Sequence, residues 1–177
     1  MSTTEPRAGE LPVALATFVY LLHERGHGAS DTDLGAACVA IQDAAAEDEV
    51  DSLGQALVDQ VAAKLGGGDP SDVSAFLDGL YPAGSMTSDF GESREARARG
   101  MRRYHFGSSM PWLAQIMDRF PDGAVGAHWV LVERVAETVT CSDPYPWDDL
   151  DEEYDTPLND FMVKWELLGC PSIRFTA

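Results

Sequence analysis

A chain of 177 residues with 45% hydrophobic side chains is long enough for one domain with a substantial core. Its 30 acidic residues against 12 basic ones give a net charge of −18, which argues against a nucleic-acid partner because phosphates would be repelled. The three cysteines, Cys38, Cys141 and Cys170, are odd in number and lack zinc-site spacing, so neither a disulfide framework nor a structural metal is expected, and no cofactor is implied.

Residues 1–10 are polar and read as a disordered tail without the basic-then-apolar pattern of a leader. Leu11, Leu15, Phe18, Val19 and Leu22 have helical spacing over 11–25, in a run too short to span a bilayer. The expectation is a cytoplasmic protein with free thiols and no membrane span. Ser30, Asp31, Thr32 and Asp33 offer caps for a helix over 33–47, whose small residues predict close packing at the centre of the fold. Leu53, Leu57, Val61 and Leu65 mark a third helix over 50–65, closed by Gly66-Gly67-Gly68-Asp69-Pro70. That glycine run is followed by no Gly-Lys-Ser/Thr, so a helix end is the better reading than a phosphate cradle. Ser71 would cap a fourth helix ending near Tyr81.

Residues 83–93 read as a loop. Arg94, Arg97, Arg99, Arg102 and Arg103 then follow within one helical stretch, five of the 12 basic residues. Arg102 and Arg103 are candidates for binding a carboxylate or an acidic peptide, though a solvated face opposing the acidic run 148–155 explains them as well. A further helix is predicted over 108–119, with Trp112, Leu113, Ile116, Met117 and Phe120 inward. Pro121-Asp122-Gly123 makes a turn. Two strands follow, 126–132 and 139–143, rich in Val, Leu, Trp and Thr.

His128 opens the first of these strands and Asp143 closes the second, fifteen residues later. In an antiparallel pair the start of one strand lies beside the end of the next, so imidazole and carboxylate come within hydrogen-bond reach. That is the base-and-orienter half of a nucleophilic triad. Trp129 alternates to the opposite face as core, and Cys141 shares a face with Asp143.

His128-Trp129-Val130-Leu131-Val132, a short gap and Asp143-Pro144 resemble the C-terminal half of papain-like cysteine peptidases, closest to the leader-peptide (double-glycine) peptidases of bacteriocin exporters. The likeness continues through an acidic segment, a helix with Phe161 and Trp165, and a closing strand 172–175. Upstream, Asp33-Leu34-Gly35-Ala36-Ala37-Cys38-Val39-Ala40 is similar to the family's nucleophile motif, with Leu34 where its thiol stands. The family's oxyanion glutamine has no counterpart here. The resemblance implies an α+β, papain-like domain over 11–177, with a helical part (11–120) on a small antiparallel sheet part (121–177). It also implies a former active-site cleft at Leu34 that binds a peptide or protein partner without peptidase activity, with Cys141 a candidate for facing it and Trp129 a candidate binding residue beside its reading as core. Two alternatives stand beside it. One is an active cysteine peptidase or acyl transferase using Cys38, His128 and Asp143; the other is an acidic adaptor or immunity-type binding protein.

Overall fold

The computed structural model describes residues 3–6, 10–90, 110–119, 122–143 and 153–176. Its elements in chain order are β1 (Thr3–Pro6), α1 (Glu10–Glu24), α2 (Thr32–Asp43), α3 (Glu47–Leu65), α4 (Pro70–Leu80), β2 (Met86–Asp89), β3 (Trp112–Arg119), β4 (Val125–Val135), β5 (Thr138–Ser142), β6 (Glu153–Pro157), α5 (Leu158–Glu166) and β7 (Ser172–Phe175). The class is α+β. Four helices precede most of the sheet, whose strands run β2-β7-β3-β4-β5-β6, all antiparallel; β1 lies off that path, parallel to β4. Among the described residues no helix is long and apolar enough to cross a membrane.

The central helix is α1. Ala14 through Tyr20 are all buried, with Leu22, which leaves no wide solvated face. The alanine-rich α2, expected at the centre, buries only Leu34, Cys38 and Ile41, a single stripe, and Ala36 is exposed. Small side chains permit close approach but supply little apolar area, so the larger residues of α1 took the core. Asp31 caps α2: its Oδ1 accepts the Asp33 and Leu34 amides, each at 3.0 Å, and its Oδ2 meets Lys64 Nζ at 2.9 Å. We expect Asp31→Ala to lower stability by about 1 kcal/mol, read as a urea midpoint shift, and Asp31→Asn to keep most of it. Asp69 caps α4 by accepting the Asp72 amide, with Pro70 opening the helix, so the cap falls two residues before the expected Ser71.

The predicted helix over 108–119 is instead strand β3. Trp112 to Ala114 and the two residues after them are buried in succession, the pattern of a strand covered on both faces. Leu113 packs with the α1–α4 core, while Trp112, Ala114 and Ile116 pack with Phe161, Met162 and Trp165 from α5. A short apolar run has no distinctive period, and Pro111 before it suits a strand start as well as a helix start. β2 likewise lies where a loop was expected, paired with β7. Because β2 and β3 both join the sheet, the layers do not divide at residue 120.

The first ten residues are not all a loose tail. Thr3–Pro6 pairs with Gly126 and Ala127, and Glu10 begins α1. One face of the sheet therefore carries α1–α4 and the other α5, where Trp112, Phe161 and Trp165 meet with ring centroids 5.2–6.4 Å apart.

Candidate functional site

β4 is the strand on which the site is built. β3 pairs with it from Val125 to Val132, covering one edge throughout. On the other edge β5 pairs from Leu131 to Val135, and β1 covers only Gly126 and Ala127. Between them lie His128, Trp129 and Val130.

The register explains how Asp143 reaches His128. Leu131 lies opposite Ser142, so Asp143 falls opposite Val130, on the same face as His128 two residues away. His128 Nε2 bonds Asp143 Oδ1 at 2.8 Å. The other ring nitrogen, Nδ1, donates to Glu10 Oε1. That same oxygen accepts the Trp129 amide at 2.7 Å. The Glu10 carboxylate thus stands in for a strand partner, filling the gap between β1 and β5 and satisfying a backbone donor.

His128 and Glu10 are largely buried, at 19% and 13% exposure, whereas Asp143 is 47% exposed. Burial by itself pushes the His128 imidazole down. The hydrogen bonds and charges of Asp143 and Glu10 outweigh it and hold the ring up at about 9. At neutral pH the two carboxylates therefore favour the imidazolium, the form that donates from both ring nitrogens.

Glu10 is the residue that sequence reasoning missed. It lies 118 positions from His128 in the chain. The available signal was an acidic residue at the head of an apolar helical run, where the helix dipole favours a carboxylate.

The predicted thiol does not meet the histidine. Cys38 sits in the helical core with Leu34 and Ile41, 1% exposed, and burial followed by the charge of Glu24 raises it to about 11. Glu24 ends α1 and Glu10, bonded to His128, begins it. Fifteen helical residues separate these ends by roughly 20 Å. The Cys38–His128–Asp143 triad is therefore ruled out, and Leu34 belongs to the α2 stripe and not to a helix tip at His128. Cys141 faces the α5 core, raised to about 12 by burial and then by Asp143. Trp129 is buried against the α1 side, edge-on to Phe90 at 6.3 Å. Arg102 and Arg103 lie outside the described residues, as does most of the acidic run.

Cys38, Cys141 and Cys170 are all free and buried. We expect none to react with Ellman's reagent within minutes at pH 7.5, and all three to react once the chain is unfolded in urea.

Among the described residues no group of His, Cys, Asp and Glu is arranged to hold a metal ion. A groove of about 460 Å³ between α2 and α3, lined by Asp33, Ala36, Ala37, Gln60, Ala63 and Lys64, does not involve the His128 cluster. Compared with protein-family models, with curated proteins and with solved structures, the chain finds no match.

Proposed function

We propose that this chain is a papain-like, peptidase-like domain without a nucleophile, which binds a peptide or protein partner in the cleft at the start of β4. One observation carries the reading: the helix tip beside His128 presents a carboxylate, Glu10, and that carboxylate takes the ring nitrogen a thiol would need. With Asp143 on the other nitrogen, the ring serves as a fixed cation between two anions. Asp143, half exposed, is the part of this cluster a ligand reaches.

Panning a displayed library of random peptides on the immobilised protein tests this. The best peptide is expected to bind the native chain, to lose roughly tenfold in affinity with Asp143→Ala, and to remain uncut after prolonged incubation. Binding that ignores both Asp143→Ala and His128→Ala would remove the cleft from the reading. Cleavage abolished by His128→Ala would make the domain an enzyme after all.

A second reading, an acidic adaptor whose sheet is only core, draws on the net charge of −18. It predicts partner binding that falls steeply with salt and is indifferent to Asp143.

A further inference from the structure

We propose that β1 is a displaceable placeholder on the open edge of β4, and that this edge takes an extended, basic segment of the partner by strand addition. The inference rests on the binding reading above and specifies how the partner docks.

Four observations support it. β3 fills one edge of β4, so β1 must lie on the other, in line with β5. β5 leaves that edge at Leu131, so the backbone of the first half of β4 needs another partner there. The partner it has is a poor one. Thr3 pairs with Gly126 and Pro6 with Ala127, so three steps on one strand match one step on the other and the ladder is irregular. Pro6 has no N–H to give, and β1 is parallel in a sheet that is otherwise antiparallel. Finally, the edge ends at the cluster, where Glu10, His128 and Asp143 sum to one negative charge, on a chain of net charge −18. An added strand carrying Lys or Arg near Asp143 satisfies both the backbone and that charge.

The probe is a synthetic fluorescein-labelled peptide of residues 1–9, measured by anisotropy against the full chain and against a full-length Thr3→Pro/Thr4→Pro variant. In the native chain β1 competes from the same molecule at high effective concentration. The variant is expected to bind the peptide about tenfold more tightly than the native chain. A Glu5→Lys version of the peptide should gain about a further threefold, lost at high salt. On the native chain, amide exchange at Ala127, under β1, should be at least about tenfold faster than at Leu131, under β5. Equal affinity for both chains, or no binding to the variant, overturns strand addition; so does an Ala127 amide as protected as Leu131. No gain from Glu5→Lys overturns the basic assignment. If these fail while a selected ligand still depends on Asp143, only the docking mode is lost and the binding reading stands.

Discussion

Glu10→Cys is expected to create a thiol that alkylates at pH 6 roughly tenfold faster than a free cysteine, while the three native thiols stay silent. The replaced side chain heads α1, where the unpaired amides of the first turn and the helix dipole favour an anion. The imidazolium of His128 faces it, still oriented by Asp143 through Nε2 at 2.8 Å. A cysteine side chain is two bonds shorter than glutamate, so the sulfur falls short of direct contact. An opposite charge within about 4–6 Å still lowers a pKa by one or more units. At pH 6 an ordinary thiol is less than about 1% thiolate, so lowering the pKa toward 6 raises the reactive fraction about a hundredfold. The weaker nucleophilicity of a more acidic thiol takes back about tenfold. Mass mapping after iodoacetamide locates the label, and adding His128→Ala should return the rate to that of free cysteine. A thiol at position 10 no faster than free cysteine would mean that the helix tip does not see the ring's charge.

The second large effect is on stability as a function of pH. The sign follows from the direction of the shift. The folded-state value of His128 is raised from 6.5 to about 9, so the folded state binds the proton more tightly. Its contribution is complete below about pH 6.5, declines as pH rises through the folded value, and is gone above it. A shift of that size corresponds to about 3 kcal/mol between the two limits. Urea midpoints at pH 6 and pH 9.5 should therefore differ by that amount more in the native chain than in His128→Gln. Substituting the histidine also leaves Glu10, buried and still bonded to the Trp129 amide, without its cation. A loss of about 2–4 kcal/mol is expected at pH 6 for that reason. A pH slope identical in native and variant chains would show that the ring makes no net gain from its carboxylates.

Much of this site was legible in the residues around His128 and Asp143. Two β-rich runs flanking a short connection define an antiparallel pair, and the period of two places both side chains on one face. The third member was not legible, because Glu10 reaches His128 through the tertiary placement of α1 and not through any local pattern. The choice of central helix failed for a related reason. A run of alanines and the small residues around Cys38 look suited to close packing, yet Leu15, Phe18, Val19 and Leu22 bury more area and claimed the middle. β3 was misread because a strand covered on both faces loses the alternation that identifies strands, leaving Trp112 to Ile116 equally readable as a helix. β1 carries no apolar pattern at all. What places it is the unfilled backbone of β4 across the gap from β5.

The measurement that bears most directly on the whole account is an NMR titration of the His128 ring nitrogens in the native chain. Both nitrogens are expected to carry protons at pH 7, with the ring giving up a proton only near pH 9, and Glu10→Gln should move that point down. A ring that is neutral at pH 7, or that titrates at the ordinary value for histidine, would contradict the clamped imidazolium and the non-catalytic reading built on it.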